Sequence, residues 1–420
     1  MRWSGESEAS EDVTKYGDST RSEEPMELRG TMQLGEAAET EGTTRSSESA
    51  KVVGAEQFSE SIKVECDAIT IPKAVGRLFI TGANGFCGSH AVSHFAAAGW
   101  EVVAGVRPGS QPFWAKSGSA PAWFSKAAES GVKSGLAPER FSEARAPGHV
   151  SIEPCDLSGS GGDSLRQLIA RIRPDAILHL AGLNAAAPSW TDPTGYIEVN
   201  VMGTLRLLEA VRAADHPCRI IVAGSMLGSA LREGEALSPP HPYSLSKSLQ
   251  AAAALSWHAM YGMEVIVAVP SNLVGPGPST GLIRLLARYA ASCEGAAISG
   301  SQPSPVFRLS SATEQRDFLD VRDAVRAYET LLERGIPGRS YAMASGRMTS
   351  LGELAELYVE LSTVPLQLEI GESHAVSPLP TDSSALRELG WQPLIMLRQS
   401  VEDTLTDSRN GSHPDKRNDS

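Results

Sequence analysis

From Arg77 onward, short apolar runs alternate with stretches of helical period. Leu78-Phe79-Ile80 ends in Thr81-Gly82, as a buried parallel strand does, and Ala91 to Gly99 reads as a helix closed by glycine. Glu101 to Val106 is a second strand, Val150-Ser151-Ile152 a third and Asp175 to Leu180 a fourth. Between the last two, Leu165, Leu168, Ile169 and Ile172 share one helical face. Tyr196 to Ala214 and Ser244 to Tyr261 read as helices, Arg219 to Ala223 and Glu264 to Val269 as strands. Strands alternating with helices at this spacing predict an α/β fold, a doubly wound parallel sheet of the Rossmann kind. The stretch from Pro108 to Gly148, which holds Trp114, Trp123 and Phe124, is an extended connection with one or two short helices. After Pro270 the pattern is less regular. The expected organisation is a Rossmann domain over 76–270, a smaller C-terminal lobe over 271–405 and a polar tail over 406–420.

Composition changes this picture at the N-terminus. The 420 residues carry a net charge of −13, which argues against nucleic acid or an anionic membrane as a partner. Residues 1–70 hold seven Lys/Arg against sixteen Asp/Glu, nine of those thirteen negative charges, and little apolar periodicity. Such a segment buries too little surface to offset its ordering entropy and reads as a disordered acidic tail. Five dispersed cysteines without metal-ligand spacing suggest reduced thiols and no metal site. With no signal-like apolar stretch and no run near the ~18 residues that span a bilayer, a cytoplasmic location is expected.

Thr81-Gly82-Ala83-Asn84-Gly85-Phe86-Cys87-Gly88 joins the first strand to the first helix. Gly82 permits the tight turn, Gly85 lets backbone approach a pyrophosphate, and Gly88 lets helix pack on strand. The helix N-terminus offers unpaired N–H groups and a positive dipole end to phosphate. At the end of the second strand, where NAD-users commonly place an acid for the ribose hydroxyl, stand Gly105-Val106-Arg107. The planar donors of Arg107 suit a 2′-phosphate, which favours NADP over NAD.

Tyr243 and Lys247 lie four apart, hence on one face of a helix. A neighbouring ammonium is expected to bring the phenol down from its ordinary pKa of about 10 toward the working range. Ser225, ending the preceding strand, supplies a hydroxyl for a substrate carbonyl, and Asn200, on the helix after the fourth strand, fits a structural and hydrogen-bonding role.

Thr81 to Gly88, His179-Leu180-Ala181-Gly182, Asn200 to Thr204, Pro242 to Lys247 and Arg316 to Asp323 follow one another over about 77–404. In this the chain resembles extended short-chain dehydrogenase/reductases, the NAD-dependent epimerase/dehydratase family. Pro270 to Gly277 and Leu389-Gly390-Trp391-Gln392-Pro393 resemble its sugar-nucleotide branch, especially GDP-4-keto-6-deoxymannose reductases and GDP-mannose dehydratases. The resemblance implies dinucleotide binding by Gly82, Asn84, Gly85, Phe86, Gly88 and Pro270, with Asp156-Leu157 flanking adenine and Ala181 lining the nicotinamide side. It implies chemistry by Ser225, Tyr243 and Lys247, substrate contacts by Asn200 and Asn272, and a diphosphate clamp at Arg316. Arg284 and Arg288, also four apart, are further phosphate candidates. A homodimer through the helices bearing Leu205, Leu208, Val211 and Ala251 to Ala254 is implied as well.

Two departures bear on the reaction. Only 17 residues separate Ser225 from Tyr243, and Leu227 stands where dehydratases of this kind carry Glu. The Tyr-Gly expected next is Ser229-Ala230. The leading expectation is reduction of a 4-keto nucleotide sugar. The alternatives are a sugar-nucleotide 4-epimerase, a reductase of another small carbonyl compound, and a catalytically silent NADP-sensing module.

Overall fold

The computed structural model describes residues 76–115, 149–228, 238–301, 305–373 and 377–411. All belong to the compact unit spanning Ala68–Ser420. The acidic 1–70 segment, Trp123, Phe124, Ser229-Ala230 and residues 412–420 lie outside the described residues.

The chain builds a seven-stranded, wholly parallel sheet. Its strands are β1 (Arg77–Thr81), β2 (Glu101–Val106), β3 (Val150–Pro154), β4 (Ala176–His179), β5 (Arg219–Ala223), β6 (Glu264–Pro270) and β10 (Ser340–Met343). Their order is β10-β6-β5-β4-β1-β2-β3, so the winding reverses between β1 and β4, whose registers pair Leu78 with Ala176 and Thr81 with His179. Alternation along each strand feeds two apolar layers. Leu78, Ile80, Ile266 and Ala268 meet Ala91, Val92 and Phe95 of α1 (Phe86–Ala97) on one face. Phe79, Val265 and Val267 meet α2 (Gly162–Ile172), α3 (Gly203–Ala213) and α4 (Pro242–Tyr261) on the other.

Helix boundaries depart from the periodic reading where glycine and π geometry intervene. The first helix begins at Phe86 rather than Ala91, because extended Gly85 is already its N-cap. The helix expected over Tyr196 to Ala214 begins at Pro193, runs as a π-helix over Ile197–Met202, and ends at Ala213.

Most of the described elements after Pro270 form a smaller lobe, from β7 (Asn272–Val274), α5 (Leu282–Ser299), β8 (Phe307–Leu309), β9 (Gln315–Asp320), β11 (Met348–Ser350), α7 (Leu351–Leu361), β12 (Leu368–Ile370) and α8 (Leu397–Arg409). Its core joins Val274, Leu286, Phe318, Leu354, Tyr358 and Val401. The lobe is not the continuous 271–405 stretch. The helix α6 (Val321–Arg334) and β10 return to the main sheet, with Ala324, Val325, Tyr328, Leu331 and Leu332 buried beside Phe95. These positions recur at helical spacing, and each large side chain sheltered there is worth about 1.5–3 kcal/mol. The last helix also passes residue 406, because Asp407 is buried on Arg284.

Candidate active site

Thr81 and His179 end neighbouring parallel strands next to the winding reversal, the place where open α/β sheets receive ligands. Gly82 adopts φ +68°, and a Cβ there would stand 2.8 Å from the Ala181 nitrogen. A Cβ on buried Gly88 would strike the Gly82 carbonyl and stand 2.8 Å from the Ala83 Cα. Backbone packs this closely only where side chains are absent. Gly85 is exposed, the N-terminus of α1 carries no side-chain cap, and no acid occupies its first turn. A helix end of that kind fits a pyrophosphate, so the turn meets the structural requirement for a dinucleotide. Asn84 and Phe86 are half-buried beside it.

Arg107 is exposed at the end of β2. Leu157 is buried, while Asp156 Oδ1 accepts from the Ser158 N–H at 2.9 Å. Ala181 and Pro270 are half-buried.

On the opposite side of the reversal, Ser225 follows β5 in a pinned turn. Its Oγ accepts the Leu227 N–H at 3.2 Å and its carbonyl accepts the Gly228 N–H at 2.9 Å. His241 Nδ1 caps α4 by accepting the Ser244 N–H at 2.9 Å, and the Ser244 hydroxyl donates to the Leu227 carbonyl. This places Tyr243 in the first turn of α4, 6% exposed and hydrogen-bonded to Ser225. Its ring stacks on His241 at 5.7 Å and meets Tyr196 edge-on at 6.1 Å.

Burial raises the Tyr243 pKa above its ordinary value; the Ser225 hydrogen bond offsets part of this. The expected lowering by Lys247 is absent, because that ammonium is turned elsewhere. Lys247 Nζ donates to the Ala223 carbonyl and to Gln250 Oε1, both at 2.6 Å. Burial with no acid among its causes lowers Lys247 itself to about 7. The two groups thus differ from free side chains in opposite senses, and both lean toward the neutral form.

A chain of hydrogen bonds ties Lys247 to the phosphate turn. Gln250 Nε2 donates to Thr204 Oγ1 at 2.7 Å, and Thr204 Oγ1 lies 2.8 Å from His179 Nε2. His179 Nδ1 lies 2.7 Å from Thr81 Oγ1, which accepts the Ala181 N–H at 3.2 Å. Burial, then the charge of Lys247, lower His179 to about 3, so it stays neutral. Asn200, fully buried in the π-turn, accepts the Leu183 N–H at 2.8 Å and donates to Ser246 Oγ at 2.9 Å. These bonds make Asn200 a brace between the loop after β4 and α4, rather than a group offered outward to substrate. The π-turn permits this by displacing one residue from the regular ladder.

The phosphate candidates fare unequally. Arg284 is 5% exposed and paired with Asp407 at 2.6 Å, so it is structural. Arg288 is exposed one turn later. Arg316 donates twice to Glu314 Oε1, at 3.0 and 2.6 Å, and 37% of its side chain remains exposed. Asn272 is exposed, with its amide donating to the Asp317 carbonyl at 2.9 Å.

Thr81, His179, Thr204, Ser246 and Gln250 carry no role in the sequence reading. Strand-end position marks the first two, and Gln250 lies three residues beyond Lys247 on the same helix face. Among the described residues no cluster suits a metal ion.

A family model described as "NAD dependent epimerase/dehydratase family" matches residues 78–344. The GDP-6-deoxy-D-mannose reductase of Pseudomonas aeruginosa is 28% identical over 347 residues, 79% of this chain and 96% of that protein. UDP-glucose 4-epimerase 4 of Oryza sativa subsp. japonica is 27% identical, over 78% of this chain and 88% of its own. Among solved structures, RMD from Pseudomonas aeruginosa complexed with NADPH matches with a TM-score of 0.61 at 26% identity, covering 80% of this chain and all of that one.

Proposed function

We propose that this chain, which belongs to the NAD dependent epimerase/dehydratase family, is an NADPH-dependent reductase of a 4-keto nucleotide sugar. Membership makes it an NAD(P)-dependent enzyme of a family that includes nucleotide-sugar reductases, epimerases and dehydratases. The narrower reading is carried by one observation, a buried, protonated Tyr243 hydrogen-bonded to Ser225; it is supported by the resemblance, which puts Glu in dehydratases at the position Leu227 takes two residues after Ser225.

The glycine turn and the N-terminus of α1 would hold the pyrophosphate, Arg107 the 2′-phosphate and Lys247 the nicotinamide ribose. A bound nicotinamide would supply hydride to the carbonyl carbon. Ser225 orients the carbonyl oxygen, and Tyr243, whose raised pKa keeps its proton at neutral pH, gives that proton to the oxygen. Asn272 meets the substrate and Arg316 takes its diphosphate, exchanging Glu314 for phosphate oxygens. Elimination across C5 and C6 would need a further acid or base. Leu227 can neither give nor accept a proton, and Glu233 and Glu235 lie outside the described residues.

The test is turnover of NADPH by the purified protein against a panel of 4-keto and parent nucleotide sugars. Stoichiometric oxidation of NADPH with a 4-keto-6-deoxy sugar nucleotide is expected. Loss of water from GDP-mannose or dTDP-glucose, or interconversion of 4-epimers without net NADPH use, would overturn it. NADPH should bind at least ~10-fold more tightly than NADH, ~1.4 kcal/mol, and Arg107→Ala should erase that gap. Equal affinity in the unmodified protein would defeat the assignment of Arg107 to the 2′-phosphate.

A further inference from the structure

Ser271 stands one residue past β6, between Pro270 and Asn272. Its N–H extends the β6–β10 ladder by donating to the Met343 carbonyl at 2.8 Å. The neighbouring Pro270 carbonyl accepts the Met226 N–H at 3.3 Å, which ties this strand end to the turn holding Ser225. The residue is 7% exposed, yet among the described residues its Oγ has no hydrogen-bond partner. One other buried side-chain atom shares that condition, His216 Nε2, which lies 4.0 Å from the Asp175 carboxylate.

A buried hydroxyl without a partner carries its full desolvation penalty, and folded proteins leave few of them. Its place limits the explanation. Ligands of open α/β sheets bind beyond the carboxyl ends of the strands, and Ser271 lies just beyond one, next to the strand end that carries Ser225. The odd positions of β6, Val265, Val267 and Val269, pack in the layer that includes Ala254 of α4. Continued by strand alternation, that register reaches Ser271, one residue past the end of β6, on the side of the sheet that carries α4. A hydroxyl both donates and accepts, so its natural complement is uncharged.

We propose that Ser271 is a ligand-binding residue whose hydroxyl is completed by an uncharged polar group of the bound ligands, a carboxamide or a sugar hydroxyl. The inference rests on the reading that a nicotinamide dinucleotide and a nucleotide sugar occupy this edge of the sheet. Two sources carry this chemistry, the nicotinamide end of the cofactor and the hexose.

The experiment compares Ser271→Ala with the unmodified full chain by thermal unfolding without ligand and by calorimetric titration. The titrants are NADPH, 2′-phospho-ADP-ribose (the fragment without nicotinamide) and GDP-mannose as sugar probe. Removing an unsatisfied hydroxyl should leave the ligand-free Tm unchanged or raise it by about 2 °C. Affinity should fall by about 5- to 10-fold, up to ~1.4 kcal/mol. Weaker NADPH with unchanged fragment binding assigns the partner to the nicotinamide end, and weaker GDP-mannose assigns it to the sugar. A lower Tm without ligand makes the hydroxyl structural and overturns the proposal, as does unchanged affinity for every titrant. Failure of the unmodified protein to bind either NADPH or GDP-mannose would overturn the functional reading instead, and the role of Ser271 with it.

Discussion

Lys247 occupies the interior with two neutral acceptors and no acid, so its ammonium lacks a countercharge. His179, the titratable group on a neighbouring strand that senses its charge, is lowered to about 3 and stays neutral above that pH. The folded chain releases the Lys247 proton near pH 7, the unfolded chain near 10.5. Between those values the unfolded state binds more protons, so this residue's contribution to stability grows as pH rises and is lost as pH falls toward 7. Lys247→Met should therefore gain most over the unmodified ligand-free protein at pH 6, with the difference shrinking by pH 9. A Tm difference independent of pH would show that Lys247 is not titrating in this window. For Tyr243 the direction is opposite in chemical consequence: a phenol raised by burial holds its proton, as a donor in reduction requires.

Elements of the smaller lobe are fastened by buried charge. Asp407 near the end of α8 accepts from Arg284 Nη1 of α5 at 2.6 Å and from the Gly277 N–H at 3.1 Å. The same helix gives Ser400 Oγ to Asp320, which also holds Arg322. Beside them His90 of α1 bonds the Pro276 carbonyl at 2.8 Å, so the loop after β7 is held from both the sheet and the lobe. Asp407→Ala strands a buried guanidinium and should cost about 3–5 kcal/mol, while Arg284→Met combined with Asp407→Leu should recover most of it. Denaturant unfolding of the full chain checks this; a double variant no more stable than the single one would show that the loss comes from helix packing. Neither partner was legible from spacing. Arg284 and Arg288 share helical spacing, but the apolar positions around them, Ile283, Leu286, Ala287 and Ala290, face the lobe core and carry Arg284 inward.

Leu207, Leu208, Val211 and Ala254 are consumed in covering the chain's own sheet, so they are not free for a partner. Leu205 and Ala251 to Ala253 remain half-buried, and Met202 is 38% exposed. We expect a homodimer through this outer face of α3 and α4, converted to monomer by Leu205→Glu, with light scattering at micromolar concentration as the check. A monomer in the unmodified protein would reject it. Among the described residues no helix is long and apolar enough to cross a membrane.

The sequence alone determined whatever depends on local period and spacing. Apolar runs of strand length, the glycine turn before α1, and Tyr243 and Lys247 one turn apart are set within a few residues, where backbone geometry dictates the outcome. Arg107 at a strand end and Leu227 after Ser225 were legible for the same reason. The tertiary structure decided the pairings between distant segments: Thr81 with His179 across 98 residues, Gln250 with Thr204 across 46, Arg284 with Asp407 across 123. It also decided that α6 and β10 rejoin the main sheet. No local pattern encodes such partners, because a buried polar atom is satisfied by whichever group the packing of the layers brings within reach.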